Sequence, residues 1–159
     1  MRLIDTHSHL FLEEFLEDLP QVIERARAVG ITHIFMPNID STTIDAMLSV
    51  CNTYKGYCFP MIGLHPTSVN ADYERELEFV ARELESSREY VAIGEVGMDL
   101  YWDKTFLKEQ QTVLDRQINW ALEYELPVVI HCRDAFDYIY KVLEPYKNLS
   151  LIHISEPTR

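Results

Sequence analysis

Short runs rich in β-branched and aromatic residues alternate with amphipathic helical patterns along the whole chain. The strand-like runs cover 2–8, 31–37, 58–64, 90–96, 127–132 and 150–155. The helical patterns between them cover 19–29, a segment that Ser41 and Thr42 can cap, 72–87, 105–124 and 135–146. Because parallel strands need long crossovers, which are usually helices, this alternation predicts a parallel sheet covered by helices.

The length of the chain limits how many strand-helix units the sheet can contain. Five complete units and a sixth strand fill the 159 residues, with no linker or low-complexity segment between them. A closed eight-stranded α/β barrel needs roughly 250 residues. We therefore predict an α/β fold of the (β/α)8 TIM-barrel type, truncated after about five and a half βα units.

Charge and apolar patterning exclude several classes of protein. The chain has 14 Lys and Arg against 26 Asp and Glu, a formal net charge of −12, which argues against a broad basic groove for nucleic acid. No apolar run approaches the roughly 18 residues of a membrane span, and the start lacks the pattern of a signal peptide. We expect a cytoplasmic protein without membrane contact. Cys51, Cys58 and Cys132 match no Cys-x-x-Cys spacing and are predicted to be reduced thiols.

The first predicted strand holds a His-x-His pair, in the segment DTHSH. Side chains at i and i+2 of an extended chain point the same way, so His7 and His9 can bind one divalent ion together. A pair of hydrogen-bonded histidines without a metal is the alternative.

Carboxylates and glycines combine in the fourth strand segment, AIGEVGMD. Glu95 and Asp99 are predicted at the carboxyl end of a parallel strand, where barrel active sites are assembled. Gly94 and Gly97 would let backbone or ligand approach closely. A glycine-rich turn with a solvated acid would explain the segment as well.

Two further strand ends carry histidines. In VVIHCRD, His131 and Arg133 lie on one face, and Arg133 can bind a phosphate or carboxylate or instead pair with Asp99 or Asp134. In GLHP, His65 is either a substrate contact or part of a structural turn. Strands 1, 4 and 5 thus deliver three histidines and a glutamate to one edge, a donor set that suits divalent ions and hydrolysis.

Four blocks of the sequence together resemble the TatD family of metal-dependent hydrolases. They are LIDTHSHL, IGLHP, AIGEVGMDLYWD and VVIHCRDA. The resemblance implies a barrel with one or two divalent ions, which are Mg²⁺, Mn²⁺ or Zn²⁺. It also implies water-mediated cleavage of phosphodiester bonds in DNA, often from 3′ to 5′. Carried over by position, it assigns the metal ligands to His7, His9, Glu95 and His131, with Glu95 as the catalytic carboxylate that contacts both ions.

The end of the chain departs from the family pattern. His153 arrives early for the histidine of the sixth strand, and the family's later aspartate is absent. The string HISEPTR resembles translated read-through of a sequencing adapter. We therefore expect residues 1–154 to be the N-terminal part of a single hydrolase barrel and 155–159 to be an aberrant tail, which leaves His153 open as a ligand.

Three functional hypotheses follow from these residues. The first is a metal-dependent deoxyribonuclease acting on DNA ends, with Arg133 and Lys104 as phosphate contacts, His65 as a substrate contact and no stable protein partner. The second keeps the metal site but takes a small amide, lactone or phosphoester. The third is an inactive fragment. Tyr101 and Trp102 would favour the first if they form a base-stacking surface on the rim, although buried aromatic packing explains them too.

Overall fold

All five strands predicted before residue 147 form, and their pairings are parallel. A computed structural model describes residues 2–86 and 89–147. The strands are β1 (Leu3–Asp5), β2 (Ile31–Pro37), β3 (Cys58–Met61), β4 (Ile93–Asp99) and β5 (Val128–Arg133). The α-helices are α1 (Leu19–Ala28), α2 (Ile44–Thr53), α3 (Tyr73–Glu85), α4 (Leu107–Glu123) and α5 (Phe136–Leu143). Short 3-10 helices cover Glu13–Phe15, Pro66–Ser68 and Glu144–Tyr146. None of the described helices is both long and apolar enough to cross a membrane.

The strands follow one another in space in the order in which they occur along the chain. β1, β2 and β3 pair as one parallel ladder, and β4 pairs with β5 as another. A parallel bridge between Ile62 and Ile93 joins the two ladders, and the Gly94 amide donates to the Ile62 carbonyl at 2.8 Å. This architecture confirms the predicted α/β class. Within 2–86 and 89–147 the layer is open at β1 and β5, and the predicted sixth strand, His153 and the tail lie outside the described residues.

Several strand bounds differ from the predicted ones. β1 ends at Asp5, so the two histidines of the His-x-His pair lie in the segment that follows the strand. β4 begins at Ile93 and not at residue 90, and it continues to Asp99 because Asp99 still pairs with Arg133 of β5. Glu95 therefore lies within a strand whose seven residues are all buried, and not at its end.

One helix start was also predicted wrongly. α2 begins at Ile44, and Thr43 precedes it as the capping residue. Ser41 does not cap this helix, because its amide and its hydroxyl both donate to the carboxylate of Glu76 at 2.8 and 2.7 Å. The contact ties the loop after β2 to α3.

The core lies between β4 and the helices packed on it. Ile93, Val96 and Met98 of β4 are fully buried, as are Leu114 and Ile118 of α4. Burial of such a side chain contributes about 1.5–3 kcal/mol to stability. β4 is thereby held firmly against α4, which fixes the position of the polar residues that it carries.

The cysteines are free thiols, as predicted. Cys51 and Cys58 are buried, and burial raises the pKa of Cys51 to about 12 and the pKa of Cys58 to about 11. Both side chains are therefore protonated and act as small apolar groups in the core.

Two buried glutamines of α4 hydrogen-bond to the chain at the ends of β3 and β4. Gln117 accepts from the Leu64 amide at 2.7 Å and donates to the Leu64 carbonyl at 3.3 Å. Gln110 accepts from the Asp99 amide at 2.9 Å and donates to the Asp99 carbonyl at 3.2 Å. The side-chain amide of each glutamine thus pairs with a backbone N–H and a backbone C=O that do not bond to a neighbouring strand. These bonds hold the residues beside Leu64 and Asp99 in place.

Replacing Gln117 by Leu should lower the free energy of unfolding by about 1–3 kcal/mol, because the buried amide and carbonyl of Leu64 would lose their partners. Urea denaturation measures the change. Gln111→Leu, on the same helix but half-buried and outside this contact, should change stability by less than about 0.5 kcal/mol. Equal effects of the two substitutions would contradict the structural role of Gln117.

Candidate metal centre

The carboxylate of Glu95 is the centre of a cluster of four imidazole rings. Its Oε2 lies 3.0 Å from Nε2 of His7, 3.8 Å from Nε2 of His9 and 3.5 Å from Nε2 of His65. Its Oε1 lies 3.0 Å from Nδ1 of His131. Glu95 is 5% exposed, so these contacts replace water around a buried carboxylate.

Asp5 shapes the turn that presents the His-x-His pair. Its Oδ1 accepts a hydrogen bond from the His7 amide at 3.1 Å, and its Oδ2 accepts from the hydroxyl of Ser8. An aspartate that bonds the backbone two residues later stabilises a turn immediately after a strand. The turn brings Nε2 of His7 within 3.3 Å of Nε2 of His9, so both rings face Glu95 although neither belongs to β1.

Gly97 allows β5 to approach β4 at the level of His131. A Cβ at Gly97 would lie 2.0 Å from the His131 carbonyl oxygen, and its φ of +147° is one that other residues rarely adopt. The close approach predicted for this glycine is confirmed. It places His131 between two acids of β4, since Nε2 of His131 also lies 3.0 Å from Oδ2 of Asp99.

His65 is oriented by the short helix that follows it. The amide of Thr67 donates to Nδ1 of His65 at 3.2 Å. In a neutral ring the proton then resides on Nε2, the nitrogen that faces Glu95. The ring also packs edge-on against His131, with centroids 4.6 Å apart.

Burial and hydrogen bonding together set the charges in this cluster. Burial by itself would raise the pKa of Glu95, but hydrogen bonds from His131 and His7 lower that pKa far below its ordinary value. Burial lowers the pKa of His65 to about 4, and burial together with the neighbouring His7 lowers the pKa of His9. The neutral ring of His9 keeps a lone pair that can bind a metal, whereas His65 turns a protonated Nε2 toward Glu95.

Burial also opposes a charge on His131, but there the hydrogen bonds dominate. Its bonds to the carboxylates of Glu95 and Asp99 raise the pKa of the ring. Within the described residues, no lysine or arginine lies within ion-pair distance of either carboxylate. Positive charge at this cluster therefore has to come from imidazolium or from a bound cation.

The donor atoms form two overlapping groups that suit a divalent ion. Donor atoms of His7, His9 and Glu95 lie within 4.8 Å of one another, and so do donor atoms of His65, Glu95 and His131. Imidazole nitrogen with carboxylate oxygen is a donor set for Zn²⁺, Mn²⁺ and related ions. The residues present therefore fit a divalent metal, with Glu95 common to both groups.

The four residues predicted as metal ligands lie close together. His65 belongs to the same cluster, because its Nε2 lies 3.5 Å from Oε2 of Glu95. Arg133 does not. Its guanidinium lies over the ring of Tyr101, 3.8 Å from the centroid, and in the described part of the chain it pairs with neither Asp99 nor Asp134, the two partners left open. It lies beside the cluster and not in it.

The supporting residues Gln110 and Gln117 were missed by the sequence analysis. A signal for them exists, because both fall on the apolar face of α4 with Leu114, Ile118 and Ala121. Polar residues at buried positions need hydrogen-bond partners, and strand ends are where unpaired backbone groups occur.

Comparison with known proteins identifies the family of the chain. A family described as TatD related DNase matches residues 4–158. The chain is 37% identical over 142 residues to an uncharacterized metal-dependent hydrolase, YabD, of Bacillus subtilis, covering 89% of this chain and 55% of YabD. It is 31% identical over 144 residues to the 3′-5′ ssDNA/RNA exonuclease TatD of a Pantoea species, covering 91% of this chain and 55% of the relative.

Solved structures show the same relationship. The crystal structure of YjjV, a TatD homolog from Escherichia coli, superposes with a TM-score of 0.82 at 31% identity, over 91% of this chain and 56% of YjjV. The chain thus spans about half the length of the relatives that it matches. By its sequence and its fold, the chain belongs to the TatD family of metal-dependent hydrolases.

Proposed function

We propose that this protein is a divalent-metal-dependent hydrolase that cleaves phosphodiester bonds at the ends of DNA, releasing nucleotides from the 3′ end. The observation that carries the proposal is the buried Glu95 carboxylate shared by two groups of imidazole donors. The Pantoea relative, named a 3′-5′ ssDNA/RNA exonuclease, supports a nucleic-acid substrate.

We assign the first metal to His7, His9 and Glu95 and the second to Glu95 and His131. A carboxylate has two oxygens and can serve two ions, and in Glu95 Oε2 faces His7 and His9 while Oε1 faces His131. Imidazole-rich sites favour Zn²⁺ or Mn²⁺ over Mg²⁺. Divalent ions held by these residues would polarise the scissile phosphate and lower the pKa of a bound water molecule toward neutrality.

Asp99 is proposed to position His131. A histidine that binds metal through one nitrogen commonly donates its other N–H to a carboxylate, which fixes the ring and its tautomer. Nδ1 of His131 faces Glu95 while Nε2 faces Asp99 at 3.0 Å. Asp99 is itself held through its backbone by Gln110, so the orientation of the ring is set from α4.

His65 is proposed to contact the substrate. With Nδ1 accepting from Thr67, its Nε2–H points into the cluster and can donate to a phosphate oxygen. Because its pKa is lowered to about 4, the ring is neutral at pH 7 and contributes a hydrogen bond but no positive charge. Arg133 and the exposed Lys104 are proposed phosphate contacts further out on the rim.

Replacing Glu95 by Gln should abolish tight metal binding, because the substitution removes the negative charge shared by both donor groups. We expect Mn²⁺ affinity, measured by isothermal titration calorimetry, to fall by more than the roughly 10- to 100-fold that loss of an outer partner costs. In the parent chain, Mn²⁺ at about 100 times its Kd should stabilise the fold by about 2.7 kcal/mol. Glu123→Gln, an exposed acid on α4, serves as the control and should bind like the parent. Unchanged affinity in Glu95→Gln would refute the ligand assignment.

Incubation with end-labelled single-stranded DNA and Mn²⁺ should release mononucleotides from the 3′ end, and EDTA should stop the release. The measurement uses separate 3′ and 5′ labels resolved on a denaturing gel, so that the direction of attack is read directly. A panel of p-nitrophenyl phosphate, a lactone and a small amide runs in parallel. Metal-dependent turnover of the panel without nucleotide release would replace the nuclease proposal by a small-molecule hydrolase.

A further inference from the structure

Two aromatic side chains stand exposed beside the candidate metal centre. Tyr101 is 52% exposed and Trp102 is 74% exposed, both just after β4 ends at Asp99. Their rings meet at right angles, with centroids 4.7 Å apart. The structure thus rules out the buried aromatic packing that the sequence left open, and large exposed aromatic groups on a rim are a feature of binding surfaces.

These aromatic residues are joined to the cluster through Asp99. The amide of Tyr101 donates to Oδ1 of Asp99 at 3.0 Å, while Oδ2 of the same carboxylate contacts His131. Asp99 is also the strand partner of Arg133. Because Arg133 follows His131 by two residues along β5, it lies about 7 Å further along the same edge. The aromatic surface therefore begins one side chain away from the proposed ligands.

Arg133 orders this surface and leaves its own polar edge free. Its guanidinium carbon lies 3.8 Å from the centroid of Tyr101 and 5.3 Å from that of Trp102. A guanidinium stacked on a ring keeps its N–H groups in the plane, directed away from the ring. Within the described residues, no carboxylate pairs with the N–H groups of Arg133. Its positive charge belongs to a chain whose formal net charge is −12.

We propose that Trp102 stacks on a nucleobase near the 3′ end of the substrate while Arg133 binds the adjoining phosphate. Tyr101, covered by Arg133, positions both groups. The inference rests on the proposed function and deepens it, since it states how the strand is held. Stacking uses the face of the base and not its edge, so the site should require a base at one position without selecting its identity.

Binding of a hydrolysis-resistant, fluorescein-labelled phosphorothioate oligonucleotide in Mn²⁺, followed by fluorescence anisotropy, tests the proposal without requiring turnover. Trp102→Ala should weaken binding by roughly 5- to 150-fold, the range for loss of one stacked base. Trp102→Phe should retain most of the affinity. Tyr140→Ala is the matched control, because Tyr140 is 61% exposed and stacks on Phe136 of α5. Its affinity should equal that of the parent.

An abasic residue placed in turn at the last three positions of the oligonucleotide locates the stacked base. At one position, the abasic residue should weaken binding to the parent chain as much as Trp102→Ala does. The same abasic residue should not weaken binding to the Trp102→Ala variant any further. Additive losses, equal binding by Trp102→Ala and the parent, or no binding by the parent would each overturn the stacking proposal. Nuclease activity with unchanged affinity in Trp102→Ala would overturn the stacking alone, whereas stacking without nucleotide release would overturn only the nuclease.

Discussion

A buried carboxylate surrounded by imidazoles is the interaction on which the rest of this site depends. Glu95 lies in a strand that is buried along its whole length, so its carboxylate is shielded from water. Its described partners are His7, His9, His65 and His131. A carboxylate taken out of water needs compensating charge or hydrogen bonds. The neutral rings of His9 and His65 bring no charge of their own, so this environment favours a cation bound among the imidazoles.

The scaffold keeps that cluster in place through contacts with the backbone of the strands and their ends. Gln117 and Gln110 complete the hydrogen bonding of the chain where β3 and β4 stop pairing. Gly97 lets β5 come close enough for His131 to reach both acids of β4. These residues touch no substrate in the proposed reaction. They fix the backbone from which the ligands project, and a displacement of the backbone would move several donor atoms together.

Much of the fold and most of the candidate site could be predicted from the sequence. The alternation of strand and helix patterns predicted the parallel α/β arrangement, and the positions of the histidines at strand ends predicted that they would meet. The bounds of β4 were predicted wrongly, because an apolar pattern does not show where pairing with β5 continues past two glycines. The start of α2 was missed for a similar reason, since Ser41 bonds to Glu76, which lies 35 residues away.

The sequence by itself determined the chemical types at the edge of the sheet: the His-x-His pair, the acid of the fourth strand and the histidine of the fifth. Local patterns determine these features, because side-chain direction and strand position follow from neighbouring residues. Only the tertiary structure decided that His65 would face Glu95, that Asp99 would bind His131, and that Arg133 would stack on Tyr101 instead of pairing with an acid. Each of these outcomes depends on the relative placement of different strands and loops, which packing and register set and which no single segment of sequence contains.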